Sequence, residues 1–266
     1  MEEVIKMQIN SYYNNALQNQ QMAMLRISTA NRINSAKDDA AGLAISENLK
    51  SQYNGLNQAS NNISQTQDLL NTAEGGMNNS EDVLQRMREL SLQASNGTLN
   101  DSNRADIQAE MNQLKEQLDS NANATQFNGI YTNNGTLKNF ATQTGTDSDG
   151  TVSTSIGDMS SKGLGVTGNV STQSDALKTL DSIDKAISNL SSSRANVGAM
   201  TNRLDYSASN ANQASSNMQS AYSNYKDADM ARESTSYRQA CAQVYASMMA
   251  MSMQMRGEPN RLSLLV

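Results

Sequence analysis

A mainly α chain, arranged as a long antiparallel coiled-coil helical bundle with a small β-hairpin tip, is predicted by three observations. The first is the run from Leu180 to Tyr225. Apolar residues recur there every three or four places, through Ile183, Ile187, Leu190, Val197, Leu204, Ala208, Ala211, Met218 and Tyr222. Only Arg194, Thr201 and Ser215 break the stripe, and no proline falls within it. This is the roughly 3.5-residue period of a coiled-coil seam. At its rise per residue such a helix is on the order of 70 Å long, so it cannot bury the stripe inside a compact globule. It must lie along other long helices, of the same chain or of neighbours. The second observation is composition. Of 266 residues 37% are hydrophobic and 4% aromatic, with no Trp, two Phe and one Pro, and the mean hydropathy is −0.63. A thick aromatic core has little to be built from, yet the periodicity argues against disorder throughout. The third is the segment from about Ala124 to Gly168. Helical spacing vanishes there, and Asn128-Gly129, Asn134-Gly135 and Asp149-Gly150 mark turns beside Thr-rich runs. That pattern predicts one or two β-hairpins.

Taken in chain order, the first helix is predicted from about Ile9 to Ala30, on Ile9, Tyr13, Ala16, Gln20, Ala23 and Ile27. Asn34 or Ser35 is placed to cap the next helix, and Ser35 with Asp38 matches a capping box. That second helix carries Leu49, Tyr53, Leu56, Ile63 and Leu70, and is expected to end or bend at Gly75-Gly76. Val83, Met87, Leu90 and Ala94 make a third segment, closed by Asn96-Gly97, and Ile107, Met111, Leu114 and Leu118 a fourth. After the hairpins, helix returns near Ser174. Beyond Asp227-Ala228-Asp229 a last helix carries Tyr237, Cys241, Val244, Met248, Met251 and Met255, and Gly257 with Pro259 is expected to stop it. The two ends of the chain should therefore lie side by side. Their seams are poor in large aliphatics and rich in Ala, Gln and Met. Such a pair is weak alone and gains by packing against copies of itself.

Charge and residue types exclude several function classes. The formal net charge is −6, so there is no basic stripe for nucleic acid. The apolar stretches are far short of a membrane span. Met1, Glu2 and Glu3 begin the chain with neither a basic n-region nor an apolar h-region, so no cleavable secretory signal is expected. Histidine is absent, which removes imidazole bases, His metal sites and Ser-His-Asp triads. Asp38 and Asp39 point about 100° apart on a helix, a poor acid–base pair, and read as capping residues. Asp147, Asp149 and Gly150 hint at a calcium loop. The EF-hand frame that puts Asp149 fifth has Gly145 first and Ile156 in the place of the bidentate Glu, so a hairpin turn is the better reading. Cys241 sits between Tyr237 and Val244 as a small seam residue. The Met248–Met255 cluster reads as adaptable packing rather than a copper patch. No catalytic, metal or cofactor site is expected.

The residues also match a family. Asn31-Arg32-Ile33-Asn34-Ser35-Ala36-Lys37-Asp38-Asp39-Ala40-Ala41-Gly42-Leu43 closely resembles the most recognisable segment of bacterial flagellins. Leu84-Gln85-Arg86-Met87-Arg88-Glu89-Leu90 resembles a second signature, and Thr125-Gln126-Phe127-Asn128-Gly129 the start of its hairpin. Ile156 to Gly165, Ser193 to Ala199, Asn202-Arg203-Leu204, Asp227 to Ala231 and Leu262 to Leu265 follow in the family's order. The chain departs from the family in Ile27 to Asn31, in Met1 to Met7, in its Met-rich last helix and in its terminal Val266.

The resemblance implies a minimal flagellin without large variable outer domains. Residues 1–35 and 230–266 would form the inner filament core domain, and 36–229 a rod domain whose tip is 124–168. The implied function is that of a structural, non-enzymatic subunit that polymerises into the flagellar filament for motility. Ile9, Tyr13, Ala16, Ile27, Tyr237, Val244, Met248, Met251 and Met255 would supply the terminal seam for polymerisation. The implied partners are copies of the chain, the flagellar export apparatus with its chaperone, and the innate immune flagellin receptor of vertebrates. For that receptor, Arg86, Leu90 and Glu110 are the matching residues, which also stand at subunit-packing places. No nucleic acid or membrane partner is implied, and the location is the extracellular flagellum. The alternatives are a hook–filament junction protein and a flagellin-like adhesin or receptor ligand that does not polymerise.

Overall fold

A computed structural model describes the backbone of residues 2–262 and the side chains of residues 3–254. Among the described residues there are five helices and two antiparallel two-stranded sheets. The helices are α1 (Glu2–Thr29), α2 (Ala40–Ala94), α3 (Asp101–Ala124), α4 (Gln173–Lys226) and α5 (Met230–Leu262). The strands are β1 (Gln126–Phe127), β2 (Ile130–Tyr131), β3 (Phe140–Gln143) and β4 (Thr151–Thr154). The chain divides into two compact units, Asn54–Ser215 and the pair of segments Met1–Tyr53 with Ser216–Val266. The division falls inside α2 and α4 rather than at the loops near residues 35 and 229.

In the unit Asn54–Ser215 the heptad is strict. On α2 the buried residues Ala59, Ile63, Thr66, Leu70, Ala73, Met77, Ser80, Leu84, Met87, Ser91 and Ala94 follow an unbroken four–three alternation. On α4 the buried Ala176, Ile183, Leu190, Val197, Leu204 and Ala211 recur every seven residues. α2 and α4 run antiparallel, because Gln67 pairs with Asp205 while Arg88 pairs with Asp184. Ile107, Met111 and Leu118 of α3 enter the same core. Small and hydroxylated residues at the seam keep it thin. Thr66, Ser80 and Ser91 return their hydroxyls to carbonyls four residues earlier, so burial leaves no donor orphaned.

Several expectations are corrected. Gly75-Gly76 does not end or bend the second segment into two helices; α2 is one helix of 55 residues. Glycine weakens a helix by about 1 kcal/mol, but Gly76 answers a packing need. A Cβ there would collide with the Thr125 hydroxyl and lie 2.5 Å from Nδ2 of Asn133. Asn133 is buried and donates from that nitrogen to the Ala73 carbonyl at 3.0 Å. The α2 backbone is thus bare where the segment after α3 crosses it. Arg194 does not break the α4 seam either, because it reaches both Glu81 and Glu74 on α2. Thr179 and Ala186 are fully buried where Leu180 and Ile187 were expected, a small rotation of the stripe. Gly257 and Pro259 do not stop α5, which continues to Leu262. Both lie in its last two turns, where little helix remains to be disrupted.

Two hairpins form in the segment predicted to hold one or two. Asn128 and Gly129 take φ of +49° and +80° between β1 and β2, the left-handed pair that a two-residue hairpin turn requires. β3 and β4 pair Phe140 with Thr154 through Gln143 with Thr151. Asp147, Asp149 and Gly150 lie in their connection, where the Gly150 amide donates to the Asp147 carbonyl at 3.1 Å.

In the other unit the start of α2 is capped by Asp39, not by Asn34 or Ser35. Its carboxylate accepts the Gly42 amide at 2.8 Å, and its carbonyl accepts the Leu43 amide at 2.9 Å. Asp38 closes the turn before it, accepting the amides of Ser35 at 2.9 Å and Asn34 at 3.1 Å. Those two backbone donors hold the Asp38 carboxyl below the usual carboxylate range. Ser35 and Asp38 therefore do meet, but one turn ahead of the helix.

Candidate assembly surface

The unit built from both chain ends is organised around the pairing of α1 with α5. The direction is antiparallel: Gln20 donates to the Cys241 sulfur at 3.2 Å, and Arg26 meets Glu233 at 3.4 Å. The far end is pinned by the backbone. The Arg32 amide donates to the Lys226 carbonyl at 2.7 Å, and the Ala228 amide to the Ala30 carbonyl at 2.9 Å. Ala30, at φ +56°, turns the chain out of α1. Tyr53 and Tyr222 stack edge-on at 6.0 Å in this unit.

Among the described residues, this pair buries only small apolar side chains completely. The fully buried apolar positions described on α1 and α5 are all alanines, namely Ala16, Ala23 and Ala240. The larger apolar side chains are half-buried beside them or exposed. Tyr12, Met24, Leu25, Tyr245, Met249 and Met253 are all exposed. Soluble single chains rarely expose so many large apolar side chains on one helix pair. Sequence reasoning missed these residues because it searched for one stripe per helix. The signal was available: the seam residues were too small to account for the apolar content of α1 and α5.

The predicted seam residues fall as follows. Ala16 is buried, and Ile9, Tyr13, Ile27, Tyr237, Val244 and Met251 are half-buried. Met248 is 51% exposed, so it does not continue the intrachain stripe; Ser247 holds the half-buried place beside it. The Met255 side chain lies outside the described residues. Cys241 is a half-buried free thiol.

Arg86 and Glu110 are brought together across α2 and α3. Nε and Nη2 of Arg86 donate to the same Glu110 oxygen at 3.0 and 2.8 Å, and Nη1 donates to Glu89 at 3.1 Å. These bonds raise the Arg86 pKa, Glu110 first and Glu89 second. Leu90 is not part of that exposed patch. It is 2% exposed and sits in the α2–α3–α4 core. Arg86 and Leu90 are four apart, but the heptad turns the inner edge of that face, where Leu90 stands, into the bundle.

Among the described residues no cluster of His, Cys, Asp and Glu is placed to hold a metal, and no helix is long and apolar enough to cross a membrane.

Comparison with known proteins agrees with this architecture. The family model described as the bacterial flagellin N-terminal helical region matches residues 2–137, and that of the C-terminal helical region matches residues 180–265. The flagellar filament 33 kDa core protein of Treponema phagedenis is 37% identical over 240 residues, spanning 82% of each chain. The flagellin of Bacillus subtilis is 34% identical over 252 residues, spanning 82% of this chain and 83% of the relative. Among solved structures, the Bacillus cereus flagellin aligns with a TM-score of 0.51 at 30% identity, over 57% of this chain and 88% of that one. A putative flagellar hook-associated protein from Vibrio parahaemolyticus aligns with a TM-score of 0.57 at 17% identity, over 71% of this chain and all of that one, a likeness of fold.

Proposed function

The chain belongs to the bacterial flagellin family, and from that premise we propose how it serves as the repeating subunit of the flagellar filament. The observation that carries the proposal is the α1–α5 pair, whose fully buried apolar positions are alanines while Tyr12, Leu25, Tyr245 and several methionines stay exposed. Residues 1–35 and 230–266 are the inner core domain, and their outward apolar faces meet the same helices of neighbouring copies. Residues 36–229 are the rod domain, with 124–168 its tip. Each contact joins unlike patches on two copies. Repeating it generates an open helix rather than a closed ring. Apolar burial at roughly 25 cal/mol per Å² then stabilises α1 and α5 far more in the polymer than the alanine seam does in one chain.

The role is structural rather than catalytic. The partners are further copies, the flagellar export apparatus and its chaperone, and the location is the filament outside the cell. A thin seam suits export, because a subunit held by alanines is readily unfolded and threaded. For the vertebrate flagellin receptor, Arg86 and Glu110 are the assigned surface residues, and Leu90 supports them from within.

Negative-stain electron microscopy of the purified protein tests the proposal. Long, uniform filaments from this single component are expected. Short caps, or a monodisperse subunit under conditions that polymerise its relatives, would contradict it.

A further inference from the structure

Among the described residues, the fully buried and the most exposed methionines lie in different units. In the unit Asn54–Ser215, Met77, Met87, Met111 and Met159 are at most 2% exposed. In the unit of the chain ends, Met7 is 74%, Met24 60%, Met249 65% and Met253 70% exposed, with Met248 beside them. Methionine in a core is shielded adaptable packing, whereas an exposed thioether is open to oxidants. The α1–α5 register, set by Gln20 against Cys241 and Arg26 against Glu233, is antiparallel. It brings the Met7 end of α1 to the Met253 end of α5.

We propose that these exposed methionines are a modification site: oxidants of the peroxide class convert them to sulfoxides in the free subunit, and this blocks self-association. The proposal rests on the reading of α1 and α5 as the polymerising faces. In the reaction the sulfur lone pair attacks one peroxide oxygen and the O–O bond breaks. The proton passes to the departing hydroxide, giving water. The thioether is oxidised by two electrons and the peroxide is reduced. The product carries an S=O acceptor at a place that the proposed contact buries among apolar side chains of a neighbouring copy. Burying an unpartnered polar group is unfavourable. The intrachain fold tolerates the change, because none of these side chains lies in the alanine seam or in the buried core of the other unit. Assembled subunits shield the same atoms from the oxidant, so the modification acts before assembly.

The test uses the full chain in four samples: untreated, treated with hydrogen peroxide, treated and then incubated with methionine sulfoxide reductases A and B, and treated then incubated with dithiothreitol alone. The dithiothreitol sample separates reversible Cys241 oxidation from methionine oxidation. Seeded polymerisation is followed by sedimentation, oxidation by peptide mass mapping and helicity by circular dichroism. The untreated sample must polymerise; if it does not, the filament reading itself fails. The treated sample is expected to carry added oxygen on α1 and α5 peptides but not on Met77, Met87 or Met111. It should keep its helicity and show a critical concentration raised about tenfold or more, as one buried unpartnered polar group suffices to do. The reductases should restore assembly and dithiothreitol should not. Normal assembly of fully oxidised subunits, or recovery with dithiothreitol alone, would overturn the inference.

Discussion

Arg86 on α2 and Glu110 on α3 are joined by two hydrogen bonds to one carboxylate oxygen, at 3.0 and 2.8 Å. Leu90, one turn along the same helix, is buried in the core. The three residues proposed for receptor recognition are thus two surface groups and one core group. Arg86→Ala should lower folding stability by less than about 1 kcal/mol, as exposed ion pairs do. Leu90→Ala should lower it by roughly 2–5 kcal/mol. Urea denaturation of both variants checks this. A receptor reporter assay then separates the groups: signal lost in Arg86→Ala at unchanged stability reports a surface contact.

The two adjacent glycines of α2 should respond with opposite signs. A Cβ at Gly75 meets nothing within 4 Å, so Gly75→Ala should stabilise by about 0.5–1 kcal/mol. A Cβ at Gly76 collides with Thr125 and Asn133, so Gly76→Ala should destabilise by roughly 1–3 kcal/mol. Thermal unfolding of the pair is the measurement.

The turn before α2 predicts a pH effect. Two backbone amides lower the folded-state pKa of Asp38 below its ordinary value of 3.8. A depressed carboxylate contributes stability that is present above the unfolded value and is lost as pH falls through the folded value. Asp38→Asn should therefore remove part of the acid sensitivity below about pH 4, seen as a flatter stability profile there. Asp39→Ala, which removes the cap, should cost roughly 0.5–2 kcal/mol at neutral pH.

Leu190 lies at the middle of the α4 seam and is fully buried. Leu190→Pro removes a helical donor and crowds the preceding turn, costing about 3 kcal/mol or more. Loss of filament yield together with loss of helicity by circular dichroism is the expected result.

Much of this architecture was legible because period carries the information. The α4 stripe and both hairpins follow from spacing and from turn residues such as Asn128-Gly129, whose left-handed geometry is found as expected. What escaped was tertiary. Gly76 reads as a helix breaker until Asn133 and Thr125 are seen against it. Arg194 reads as a defect until Glu74 and Glu81 are seen opposite. Leu90 falls on the seam by spacing and is buried there, and only the packing of α2 shows it apart from Arg86 at the surface. The exposed apolar side chains of α1 and α5 were obscured for a related reason: heptad spacing marks the residues that meet within one chain, not those left outside it.

The central claim is that α1 and α5 are the polymerising elements. Hydrogen–deuterium exchange on free subunit and assembled polymer tests it most directly. In the free subunit, amides of α1 and α5 should exchange much faster than those of α2 and α4 at Leu70, Leu84, Leu190 and Leu204. In the polymer, α1 and α5 should become protected to a similar degree, with little change in the Asn54–Ser215 core. Strong protection of α1 and α5 already in the free subunit, or protection on assembly confined to β1–β4, would contradict the account.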